Sequence, residues 1–194
     1  MKAVFTSSCR TAGLSLLLGA FLTSSAIAYG QHSVDLDGHA ADPFRDNRAG
    51  AVVLIFLRRD CPISSRYAPT IQQISKRYAD SASFWLVFPD KTESSEAIRK
   101  YLQDYGYHLP ALRDPEHELV KLSQVQVTPE AAVFDRNHRL LYDGRIDDWY
   151  RYPGGSRPAP TTHDLDDAIR AAIAGKSVDT NEVRGVGCYI SDLD

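Results

Sequence analysis

Three cysteines, Cys9, Cys61 and Cys188, are the thiols of this 194-residue chain. Cys61 stands between an apolar run, Ala51 to Leu57, and a helical stripe that begins near Ser64, and Pro62 follows it directly. Proline is favoured at the first helical position, where its missing N–H costs nothing. Cys61 is then a helix N-cap, with free N–H groups and the positive end of the helix dipole aimed at its sulfur. Such surroundings lower a thiol pKa and populate the thiolate, the nucleophile of disulfide exchange and of sulfenic acid chemistry. Arg58 and Arg59 add positive potential, and Asp60 opposes it. An inert buried cysteine is common in proteins, but a Cys-Pro pair at a strand-to-helix junction is an unusual place for one.

Cys188 lies in Arg184-Gly185-Val186-Gly187-Cys188-Tyr189-Ile190, where glycines on its N-terminal side let the tail fold back. Three readings stay open for it. It resolves a mixed disulfide or sulfenic acid on Cys61, it is an independent thiol, or it forms a permanent structural bridge to Cys61.

These residues need elements to hold them. Ala51 to Leu57 is continuous and rich in β-branched residues, as expected of a strand buried on both faces. Tyr67, Ile71, Ile74 and Tyr78 make one helical stripe within Ser64 to Ala79. Phe84 to Phe88 reads as a second buried strand stopped by Pro89, and Ala97 to Tyr105 as a second helix ended by Gly106. A short helix over 116–123 precedes a strand at Ala131 to Phe134, a turn at Asn137-His138 and a returning strand over 140–142. Residues 147–161 read as a loop, and the last helix carries Leu165, Ala168, Ile169, Ala172 and Ile173, capped by Thr161 or Thr162 and ended by Gly175. The order β-α-β-α-(α)-β-β-α implies an α/β fold with a mixed central sheet flanked by helices on both faces.

The chain divides into a segment 1–28, an N-terminal segment 29–49 leading into the domain, the domain 50–175, and a tail 176–194 carrying Cys188. Residues 1–28 have the order of a signal peptide: basic Lys2 and Arg10, an apolar stretch Leu14 to Leu22, then Ala26-Ile27-Ala28. The stretch is too short for a membrane span of about 20 residues. The expectation is a protein exported to the periplasm or secreted, without stable membrane insertion after cleavage and with Cys61 and Cys188 as its remaining thiols. A net charge of −3 with no long block of one sign argues against a nucleic-acid partner. His32, His39, His108, His117, His138 and His163 show no paired ligand spacing, so neither a metal nor another cofactor is expected. Asp147-Asp148 and Asp166-Asp167 read as solvated charges, and Tyr150, Tyr152 and Arg157 either line a substrate groove or belong to a plain surface loop.

Cys61-Pro62-Ile63-Ser64-Ser65-Arg66-Tyr67-Ala68-Pro69 resembles the active-site stretch of the thioredoxin superfamily, and Pro69 matches that family's helix-kinking proline. Val127-Thr128-Pro129 before Glu130 to Phe134 resembles its second marker, a cis-proline that opens a buried strand and faces the active cysteine. The resemblance covers roughly residues 45–175 and points to the redoxin branch, which includes alkyl-hydroperoxide-reductase-like and TlpA-like proteins, with residues 90–123 as its helical insertion. It implies a thioredoxin-like fold, Cys61 as the attacking thiol, and Thr128 with Pro129 as the substrate-orienting turn.

The departures define the function to be tested. Ser64 occupies the position of the family's second cysteine, so the Cys-x-x-Ser site attacks a disulfide but lacks an adjacent thiol to release itself. Either the Ser64 hydroxyl and N–H hydrogen-bond the Cys61 thiolate, or Ser64 is an ordinary first-turn residue. The leading expectation is thiol–disulfide exchange with protein or small-molecule thiols and disulfides, supported by Pro62, Pro69 and Arg58. A thiol peroxidase acting on hydroperoxide is the alternative. The peroxiredoxin Thr or Ser and Pro positions, however, hold Arg58 and Leu54, and Arg145 is only a candidate for that family's arginine. A Sco-like copper site is disfavoured because Ser65 stands where its second cysteine belongs. A non-catalytic thioredoxin-fold binding module is the third reading.

Overall fold

The computed structural model describes residues 33–45, 49–178 and 184–191. The expected signal peptide and Cys9 lie outside the described residues.

The central strand β2 (Ala51–Phe56) is buried along its whole length. It pairs in parallel with β3 (Ala82–Phe88), which pairs in parallel with β4 (Ala111–Arg113). On its other side β2 pairs antiparallel with β6 (Glu130–Asp135), and β6 with β7 (Leu140–Gly144). A two-residue strand β1 (Val34–Asp35) closes the β4 edge, giving the order β1-β4-β3-β2-β6-β7. The early parallel and late antiparallel pairings are the expected mixed sheet.

Strand alternation sorts the core into two layers. Ala51, Val53 and Ile55 face a cluster containing Ile71, Ile98, Leu165 and Ile169, supplied by α2 (Ala68–Arg77), α3 (Ser95–Asp104) and α5 (Asp164–Ile173). Val52, Leu54 and Phe56 face Phe44, Leu119, Val120, Val125 and Ile190, with α4 (Glu118–Ser123) on that side. Leu54, Ile55 and Phe56 have no exposed surface, and each such side chain stabilises the fold by about 1.5–3 kcal/mol.

Several expectations need correction. The stripe 64–79 is not one helix: α1 (Pro62–Arg66) breaks at Tyr67, and Pro69 falls in the first turn of α2, where its missing N–H is harmless. The loop 147–161 contains a small hairpin, β8 (Tyr150–Tyr152) with β9 (Gly155–Ser156). His163, not Thr161 or Thr162, holds the N-cap position of α5, without a side-chain cap hydrogen bond; the Thr161 and Thr162 N–H groups donate to Asp148 and the Thr162 hydroxyl to Asp164. Asp147, Asp148 and Asp166 are buried rather than solvated. Tyr67, Thr161, Thr162, Arg157, Arg77 and Arg170 supply their partners from distant elements or the next helical turn. Gly106 and Gly175 end α3 and α5 at φ +67° and +66°, as their sequence positions imply.

Candidate active site

Chain direction brings Cys61 to the C-terminal end of β2. After Leu57 a turn closes through the Cys61 N–H donating to Arg58 O at 3.1 Å. Cys61 is extended (φ −85°, ψ 111°), and Pro62 opens α1 directly after it. Ser64, fully buried, turns its hydroxyl back toward this turn and accepts from the Arg58 N–H at 3.4 Å. Burial alone pushes the Cys61 thiol up. A hydrogen bond from the Cys188 thiol, the N–H and hydroxyl of Ser64 and the N–H of Ile63 outweigh it and hold Cys61 below the ordinary cysteine range. These are donors to the charged form, which favour ionisation.

The second marker lies against this sulfur. β5 (Val127–Thr128) ends in a cis Thr128–Pro129 bond. Thr128 O accepts from the protonated Cys61 thiol at 3.1 Å. Glu130, the first residue of β6 and 1% exposed, was not singled out in the sequence. Its carboxylate accepts from the N–H groups of Gln126 at 2.8 Å, Val127 at 3.2 Å and Gly185 at 2.7 Å. An acidic residue opening the otherwise apolar run Ala131 to Phe134 is the one sequence signal that pointed to it.

The tail completes the site. β10 (Cys188–Tyr189) pairs antiparallel with β5, Cys188 opposite Thr128 and Tyr189 opposite Val127. The Ile190 N–H donates to Gln126 O at 3.0 Å, and the Thr128 hydroxyl to Cys188 O at 3.4 Å. Both cysteines are free, and the Cys188 thiol donates to Cys61 Sγ across 2.9 Å. Burial, then the hydrogen bond to Cys61 and the negative charge on that sulfur, push the Cys188 thiol up to about 11. The pair is polarised, with Cys61 the readily ionised sulfur and Cys188 the proton carrier.

Cys61 has no exposed surface, and the half-buried Cys188 lies on it. The backbone of Thr128, expected to belong to a substrate-orienting turn, pairs with the chain's own tail. Arg58 is held by Asp60 at 2.8 Å and Asp90 at 3.3 Å. Arg145 pairs with Asp164 at 2.9 Å, beside α5. Tyr150 is buried and, with Pro62, Ile63 and Arg66, lines a cavity of about 400 Å³ that Gly187 and Cys188 close on one side. Tyr152 is exposed, and Arg157 pairs with Asp148 at 2.9 Å. His39 pairs with Asp35, and His117 contacts Pro89 O. No helix of the described residues is long and apolar enough to cross a membrane.

Comparison with known proteins agrees with this architecture. Residues 50–140 match a thioredoxin-like protein family. A hypothetical protein of Sinorhizobium meliloti is similar at 25% identity and a TM-score of 0.69, over 84% of this chain and 92% of that one. An uncharacterised protein of Geobacillus kaustophilus is similar at 23% identity and 0.69, over 81% and 85%. The exposed lipoprotein thioredoxin of Streptococcus pneumoniae is similar at 23% identity and 0.51, over 73% and 96%. No curated protein matches the chain by sequence. Cys61 before Pro62, the cis bond at Pro129 and the mixed sheet between them all belong to one architecture: the chain has the thioredoxin-like fold.

Proposed function

We propose that this chain is an exported thiol–disulfide oxidoreductase whose redox pair is Cys61 and Cys188. The observation that carries the reading is the 2.9 Å approach of the two sulfurs, with opposite displacements of their thiol acidities. The Cys61 thiolate attacks a disulfide sulfur of the substrate, forming a Cys61–substrate mixed disulfide and expelling one substrate thiolate. Cys188 then loses its proton, and its thiolate attacks Cys61 Sγ. That step forms a Cys61–Cys188 disulfide and expels the second substrate thiolate. The substrate is reduced by two electrons and the protein oxidised, and the reverse sequence oxidises a dithiol. Cys188 does the work that the residue at position 64 does in a Cys-x-x-Cys site, which leaves Ser64 to donate to the thiolate. Thr128 and Pro129 orient the substrate, Pro62 opens the helix at the nucleophile, and Pro69 sets the start of α2. Arg58, neutralised by two aspartates, serves the turn rather than the sulfur. No metal or other cofactor enters these steps. The signal-peptide pattern of residues 1–28 supports export.

The test is stoichiometric release of aromatic thiolate from a small aromatic disulfide by the fully reduced protein. Cys61→Ala is expected to slow release by about 100-fold or more, and Cys188→Ala to leave a stable mixed disulfide on Cys61. Unchanged rates in Cys61→Ala make the non-catalytic binding module the better account. Rapid consumption of hydroperoxide by the reduced protein would instead promote the peroxidase.

A further inference from the structure

We propose that residues 185–190 are a tethered mimic of the substrate. The site takes an extended polypeptide with a glycine immediately before its cysteine and a branched apolar residue two positions after it, and only while the tail is displaced. This deepens the redox reading above and rests on it. Three features of the tail carry the inference. First, Cys188 occupies the backbone position opposite Thr128 and presents its sulfur to Cys61, the placement that an attacked cysteine in a bound strand requires. Second, a Cβ built on Gly187 falls 2.0 Å from Thr128 O and 2.6 Å from Thr128 C, backbone atoms that cannot step aside. The residue before the cysteine in this track must therefore be glycine. Third, Ile190 is 7% exposed and packs with Leu119, Val120 and Val125, so the track ends in an apolar socket.

The tail is also latched. Glu130 holds the Gly185 N–H at 2.7 Å, and Arg184 reaches Asp143 at 3.3 Å. An incoming strand competes with a segment of the same chain, so its apparent affinity falls by the fraction of molecules with the tail docked.

The experiment uses full-length protein carrying Cys9→Ser and Cys188→Ser, in which Cys61 is the one thiol left and resolution is impossible. The probe is a synthetic peptide, Arg-Gly-Val-Gly-Cys-Tyr-Ile, copying residues 184–190, with its cysteine joined to thionitrobenzoate. Attack of the Cys61 thiolate on the peptide sulfur forms the mixed disulfide and releases coloured thionitrobenzoate. Adding Ile190→Asp, which puts a charge in the socket, or Gly187→Val, which drives a side chain into Thr128 O, displaces the tail by independent means. Either is expected to raise the release rate at least about tenfold. In the opened proteins, a peptide with valine in place of the glycine before cysteine is expected to react roughly tenfold more slowly. Equal rates in closed and opened proteins, or indifference to that valine, overturn the proposal while leaving the redox pair standing. Opened proteins that react with neither peptide nor free dithiobis(nitrobenzoate) overturn both.

Discussion

Cys188 lies directly opposite Thr128 in a two-stranded antiparallel pairing, 60 residues apart in sequence, and this pairing sets its sulfur 2.9 Å from Cys61. The tail brings a second thiol to a site whose helix carries only one. It also covers the edge of β5 with the chain's own backbone.

Joining Cys61 to Cys188 closes a loop of 127 residues. By the loop-entropy argument this stabilises the folded chain by up to about 5 kcal/mol. Urea unfolding is expected to show a higher midpoint for the oxidised protein than for the reduced one. The difference should vanish in Cys188→Ser.

The hydrogen bonds that ionise Cys61 can be removed singly. Ser64→Ala and Cys188→Ala each delete a donor to its sulfur and are expected to raise its pKa, read as the pH dependence of alkylation. An unshifted profile in both variants would separate the acidity of Cys61 from these contacts.

Glu93 gives a pH-dependent stability effect. It is 4% exposed, its Oε1 accepts from the Arg59 N–H at 2.9 Å, and burial raises its pKa. A carboxyl raised by folding costs nothing while protonated in both states. The cost grows as pH rises through the unfolded value toward the folded one, and it is full above that. Glu93→Gln is therefore expected to stabilise the protein at pH 7 and to lose that gain on acidification. A gain independent of pH would contradict the assignment.

Tyr67 joins the break between α1 and α2 to the loop before β8, its hydroxyl donating to buried Asp147 at 2.6 Å. Tyr67→Phe keeps the ring against Trp149 and leaves Asp147 with the Trp149 N–H among its named donors. The expected loss is about 1–3 kcal/mol in denaturant unfolding.

What was legible in the sequence depended on local pattern. The run Ala51 to Leu57 and Pro62 after Cys61 each announce their geometry within a few residues, and the mixed sheet followed from element order; Pro69 marks a break between two helices where the stripe alone implied one. Thr128–Pro129 was legible through its context before a buried strand. The tail strand was not, because two paired residues have no period and Cys188 finds its place only through the edge that β5 offers. The buried aspartates were misread for a similar reason. Adjacent acids look solvated until the loop folds Thr161 and Arg157 back onto Asp148 and Tyr67 reaches Asp147 from 80 residues away. The cover over Cys61 belongs to the same class, since it comes from 127 residues away.

Mass mapping of proteolytic fragments from the oxidised protein, digested without reductant, tests the central claim most directly. The account predicts a fragment pair joined through Cys61 and Cys188 that separates on reduction. Absence of that pair from every oxidised form, with both thiols alkylated or oxidised independently, would contradict it.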